Sequence, residues 1–154
     1  MRKIGAFCAA VACMAMAGPA FASSFTGPGG TITVTGSTSM SASGFPTLAC
    51  TATFTGVINT DGTATINTAS FTGGLLGACA AVKLATPFKI VANSTTSVTV
   101  QQLKVTAPIT CGPQDVAGSW TNGSPSHFDI PTATVSPGGC TITAHLTVSG
   151  VTIV

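Results

Sequence analysis

Between Thr31 and Thr35, and again between Thr141 and Val148, Thr or His alternates with aliphatic residues at every second position. Successive side chains of a strand point to opposite faces, so a period of two sets an apolar face against a hydroxyl face. A helix would scatter both sets around its axis. Thr, Val and Ile are also stiff at χ1 and suit a pleated, half-buried surface. The pattern confines the chain to an all-β fold. Short strands separated by turn residues predict an antiparallel β-sandwich or a Greek-key barrel.

The clearest single element is a hairpin over residues 50–73. Asp61-Gly62 reads as a two-residue turn whose twist matches paired strands. It would set Thr60 opposite Thr63 and Val57 opposite Ile66. In that register Ala52, Phe54 and Ile58 share a face with Ala69 and Phe71, while Thr51, Thr53, Thr55, Thr68, Ser70 and Thr72 form the other. Further strands are predicted at about 86–92, 96–106, 127–135 and 141–153. Pro/Gly/Ser/Asn clusters at 27–30, 43–46, 72–77, 92–97, 112–126 and 136–139 punctuate them. Residues 75–84 fit a helical turn or two.

The N-terminus has the parts of an export signal: Arg2 and Lys3, an apolar run from Ile4 to about Ala17, and the small-x-small site Ala20-Phe21-Ala22. The expected organisation is a secretory signal peptide over 1–22 and a single β domain over 23–154. The apolar run is shorter than the roughly 18–20 residues of a membrane-spanning helix, and no transmembrane segment is expected in the mature chain. Cys8 and Cys13 would leave with the leader, and Cys50, Cys79, Cys111 and Cys140 would remain. Four cysteines in an exported chain read as two disulfides with three possible connectivities. Cys50 to Cys79 and Cys111 to Cys140 span equal stretches, which favours those two pairs. A zinc site made from all four would lack any Cys-x-x-Cys pair.

Charged residues make up only 5% of the chain, against roughly a quarter in ordinary soluble domains. Beyond the leader they are Lys83, Lys89, Lys104, Asp61, Asp115 and Asp129, with no Arg, Glu or Tyr. These balance, so there is no basic field for nucleic acid. Acid–base chemistry, hard-metal binding and phosphate binding draw mostly on the types that are missing. Ser126, His127 and Asp129 are the residue types of a hydrolase triad, but neighbours on a strand face opposite ways and no Gly-x-Ser-x-Gly elbow exists. A local His127–Asp129 hydrogen bond is the simpler expectation. His127 and His145 are the only histidines and lack an obvious set of metal-binding partners. Trp120 falls in a loop over 118–123, where it would plug the end of the fold or serve as a stacking platform. No catalytic, cofactor or metal site is expected, and the chain does not read as an enzyme.

Several motifs occur in one order along the chain: Cys50-Thr-Ala-Thr-Phe-Thr-Gly56, the Asp61-Gly62 turn, Ala69-Ser-Phe-Thr-Gly73 before Cys79, Cys111-Gly-Pro113 followed by Trp120, and Gly139-Cys140-Thr-Ile. Together they resemble the exported bacterial family called protein activator of alkane oxidation (PraB-like). The resemblance implies a supporting role in growth on hydrocarbons rather than hydrocarbon chemistry, and no catalytic residues. The expected function is an exported, non-catalytic accessory that aids contact with or use of hydrophobic substrates, in the periplasm, at the cell surface or outside the cell. Its partner would be a hydrophobic surface or substrate. The alternative is a subunit of an extracellular fibre, pilus or biofilm matrix, self-associating by strand addition through the alternating segment 24–35. In either case the patterned Thr/Ser surface, rather than a pocket, is the expected working part.

Overall fold

The computed structural model describes residues 23–154, and the signal peptide expected over 1–22 lies outside the described residues. The strands are β1 (Thr31–Ala42), β2 (Phe45–Ile58), β3 (Ala64–Thr72), β4 (Lys83–Leu84), β5 (Phe88–Ser94), β6 (Ser97–Ala107), β7 (Ile109–Thr121), β8 (Ser126–Val135) and β9 (Cys140–Val148). A 3-10 turn over Leu75–Ala81 lies between β3 and β4.

Eight of these nine strands form a ring in the order β1-β2-β3-β5-β6-β7-β8-β9, and β1 pairs with β9 to close it. All pairings of the ring are antiparallel and join strands adjacent in the chain, apart from the closing pair and the step over β4. The short β4 lies against β6 at Val105 and Thr106, beyond the stretch that pairs with β5. The fold is therefore an up-and-down barrel, neither the expected sandwich nor a Greek key. A Greek key needs a long return connection. Here nearly every link is a tight turn, and the one long link, 73–87, returns beside the strand it left.

Alternation puts Ile32, Val34, Ala52, Phe54, Ile58 and Ile66 inside and leaves Thr31, Thr33, Thr51 and Thr55 outside. Each fully buried aliphatic or Phe side chain contributes about 1.5–3 kcal/mol relative to exposure. That inward set decides the register of every strand.

The 50–73 hairpin keeps its expected pairing in its outer part, with Ala52 opposite Phe71 and Phe54 opposite Ala69. The inner part differs by one residue: Val57 faces Thr65, not Ile66, because Asn67 is unpaired between Thr68 and Ile66. This bulge keeps Ala64 and Ile66 inside with Ile58. A Cβ on the facing Gly56 would collide with the Thr65 carbonyl, so only glycine admits the approach. The turn is correspondingly longer than a two-residue one. Asn59 N donates to Thr63 O at 2.8 Å and Gly62 N to Asn59 O at 3.1 Å, enclosing Thr60-Asp61-Gly62. Gly62 sits at φ +79°, as the left-handed position of a three-residue hairpin loop requires.

The two ends of the barrel differ. At one end residues 24–26 and the C-terminal tail close it: Ser24 and Val154 exchange backbone hydrogen bonds at 3.0 Å, and Phe25 bridges to Ile153. Beneath them Phe25 meets Trp120 edge-on, with centroids 5.3 Å apart. The opposite end carries the β1–β2 turn, the 3-10 turn, Pro108 and the β8–β9 turn. Both disulfides serve that end. Cys50–Cys79 ties the 3-10 turn to β2, and Cys111–Cys140 ties the start of β9 to β7, with Cα separations of 5.7 Å and 5.9 Å.

Candidate functional site: the apolar barrel interior and its mouth

Inside the barrel, above the Phe25–Trp120 plug, lies a cavity of about 90 Å³. Phe54, Phe88 and Phe128 project into it from β2, β5 and β8. Val100, Leu103 and Leu146 add aliphatic wall from β6 and β9. No strand supplies more than four of the lining residues, because alternate residues mostly leave for the outer face. Ring closure brings them to one place.

The only hydroxyls on this wall are committed elsewhere. Thr38 Oγ1 donates to the Cys50 carbonyl at 3.3 Å, and Ser39 Oγ bonds Thr143 Oγ1 at 2.6 Å. Among the described residues no buried side-chain nitrogen or oxygen lacks a partner. The wall thus offers a guest dispersion contact and almost no hydrogen bonding. Water needs two to four polar partners to occupy such a space, and an apolar cavity of comparable kind stays dry while admitting small hydrocarbons. A guest with a hydroxyl or carboxylate would bury that group unpaired.

Above this cavity a second pocket of about 260 Å³ forms the mouth. Phe45 and Pro46 line it from the start of β2, Pro108 from the β6–β7 turn, and Ala78 and Ala81 from the 3-10 turn. Met40 and Leu48 belong to the walls of both spaces. Met is unbranched and adapts its shape readily, which suits a position between two cavities.

The outer surface has the opposite chemistry. Across β9, β1, β2 and β3, Thr147, Thr35, Thr53 and Ser70 lie in one cross-strand row. A barrel that faces lipid carries an apolar outer band with aromatic girdles; this one is polar outside and apolar within. Among the described residues no helix is long and apolar enough to cross a membrane.

The residues singled out for chemistry lie away from the cavity or outside it. Ser126 is fully buried, and its hydroxyl donates to the Val151 carbonyl at 2.6 Å, so it anchors the C-terminal tail. His127 is exposed on the outer face of β8. Asp129 pairs with His145 across β8 and β9, at 2.8 Å from Nδ1, rather than with His127. Cross-strand partners stand closer than residues two apart on one strand. Trp120 is on β7, not in a loop, and is 3% exposed. Its Nε1 donates to Asn122 Oδ1 at 2.8 Å, leaving no open aromatic face for stacking. Segment 24–35 is largely engaged within the chain: Ser24, Phe25 and Thr26 pair with residues 152–154, Thr31–Thr33 pair with β2, and Val34 and Thr35 pair on both sides.

The interior was identified in the sequence only as core. Phe54 and Phe71 do share a face, meeting edge-on at 5.7 Å. That their face lines a hollow follows from what stands across the ring, which no local pattern encodes.

In comparison with known proteins, the family described as alkane oxidation protein activator PraA/PraB-like matches residues 1–154. No curated protein matches the chain, and no solved structure does.

Proposed function

The chain belongs to the alkane oxidation protein activator PraA/PraB-like family, and from that premise we propose that it is an exported, non-catalytic accessory of alkane use that holds a saturated hydrocarbon chain inside its barrel. The observation that carries this reading is the interior wall, whose few polar atoms are all satisfied within the protein. An alkane neither donates nor accepts a hydrogen bond, so it loses nothing in that space and gains dispersion contact. Disulfides at the mouth suit an oxidising compartment. The barrel shelters the chain from water and leaves oxidation to another protein.

The test is growth. A deletion strain should grow poorly on alkane and normally on succinate, and the wild-type gene should restore it. Ala144→Phe, which fills the cavity from β9, should accumulate to the same level by immunoblot and fail to restore growth. Full restoration by this variant would overturn the reading.

One observation favours the fibre alternative. From Thr68 to Thr72, β3 has a ladder partner on β2 only, because β5 pairs with β3 at Ala64–Ile66 alone. That half-edge could accept a strand from another copy. Filaments seen by electron microscopy and abolished by Ser70→Pro would support it; particles of monomer size alone would exclude it.

A further inference from the structure

The rim of the mouth carries apolar side chains that the fold itself does not use. Leu75 is 85% exposed and Leu76 is 99% exposed on the turn whose Ala78 and Ala81 line the mouth, and Phe45 in the mouth wall is 44% exposed. Leu76 also adopts φ +55°, a left-handed conformation that costs a branched residue energy. Gly74 and Gly77 bracket the pair, and Cys79 fixes the same turn to β2. A polar residue would serve this turn as well or better if it only linked β3 to β4.

The charges are distributed to match. Asp61 pairs with Lys89, Asp115 accepts hydrogen bonds from Gln102, and Asp129 pairs with His145. Lys83 and Lys104 have no ion-pair partner among the described residues. Both are exposed at the mouth half of the barrel, where Lys83 faces Thr106 on β6 and Lys104 stands two residues before it on that strand. The formal charges of the described surface balance, but these two lysines, free of ion pairs, put positive charge close to the apolar tip.

We propose that this rim is a membrane-docking surface: Leu75 and Leu76 enter the acyl boundary of an anionic bilayer, Lys83 and Lys104 meet its headgroups, and the mouth opens onto the lipid. Burial of apolar side chains and attraction of lysines to anionic lipid are the two components of interfacial binding. A mouth seated this way lets a hydrocarbon chain pass between bilayer and barrel without crossing water. That direction of transfer rests on the hydrocarbon reading above; the docking itself does not.

The experiment is co-sedimentation of the purified mature protein with two sets of vesicles, phosphatidylcholine alone and phosphatidylcholine mixed with phosphatidylglycerol. Binding is expected to the anionic vesicles and to weaken as salt is added. Leu75→Ser/Leu76→Ser and Lys83→Gln/Lys104→Gln should each bind roughly tenfold or more weakly. Both variants should keep the wild-type Trp120 fluorescence, because Trp120 lies at the far end of the barrel. Absence of wild-type binding, equal binding to both vesicle types, or unchanged binding of either double variant would overturn the proposal. Uptake of alkane in vesicle-free solution is measured in parallel on the same proteins. Its failure alongside intact vesicle binding would overturn the cavity reading and leave docking standing.

Discussion

Met40 and Leu48 are cross-strand partners on β1 and β2, and both line the interior cavity and the mouth pocket. Their side chains therefore stand between the open end of the barrel and its hollow. Leu48→Trp is expected to slow loading of n-hexane, followed by stopped-flow fluorescence, and to leave the final occupancy nearly unchanged. Met40→Ala should speed loading and lower stability by roughly 2 kcal/mol, since a truncated core side chain leaves a void. Equal loading rates in the two variants would show that the chain enters elsewhere.

The disulfides are expected to hold the mouth rather than the plug. Removing Cys111–Cys140 by a double Ala substitution should cost about 2–4 kcal/mol. In a domain of this size that lowers Tm by on the order of 10 °C. Hydrogen exchange should rise at the β8–β9 turn and the start of β7, and stay slow at Phe25 and Trp120. Loss of protection at the plug first would contradict this division of the barrel.

At the closed end Asn122 joins three groups. Its Oδ1 accepts from Trp120 Nε1 and from Ile153 N, each at 2.8 Å, and its Nδ2 donates to Ile153 O at 2.8 Å. Asn122→Ala strands a buried indole N–H and a backbone pair, a loss of roughly 2–3 kcal/mol. Chemical denaturation should show the lower midpoint, and the Ile153 amide should exchange faster. A midpoint within error of the wild type would mean that Ser24, Phe25, Thr26 and Ser126 hold the tail without Asn122.

Hydrogen bonds from the Thr63 hydroxyl and the Thr63 backbone N–H, with Lys89 nearby, hold the Asp61 carboxyl below its ordinary value of 3.8. A carboxylate with a lowered folded-state pKa favours folding above its ordinary range, and that contribution fades as pH falls through the lowered value. NMR titration should place the Asp61 midpoint under 3.8 and move it upward in Thr63→Val. A midpoint that does not move in the variant would assign the shift to the Thr63 backbone N–H and Lys89 instead.

The fold was legible where chemistry is local. Thr31 to Thr35 and Thr141 to Val148 declare their strands, and Phe54 and Phe71 declare a common face. Strand β7 escaped because Gly112, Pro113 and Gly118 interrupt it. Its buried residues Cys111, Val116 and Trp120 follow no period of two, because pairing with β6 shifts register twice on the way. Closure escaped for a different reason. β1 and β9 are the first and last strands, and their pairing depends on six intervening strands of the ring all being in place. The cavity inherits that dependence. Phe54, Phe88 and Phe128 each read as ordinary core, and only their arrangement around the ring leaves a space between them.

The central claim is that the interior accepts a saturated hydrocarbon. The most direct measurement is methyl NMR of the purified protein with and without n-hexane at saturation. Methyl resonances of Val100, Leu103, Leu146 and Met40 should shift together with one affinity, while the outward Thr methyls and the Trp120 indole stay in place. In Ala144→Phe the shifts should vanish. Unmoved interior methyls, or shifts confined to Leu75, Leu76 and the outer face, would contradict it.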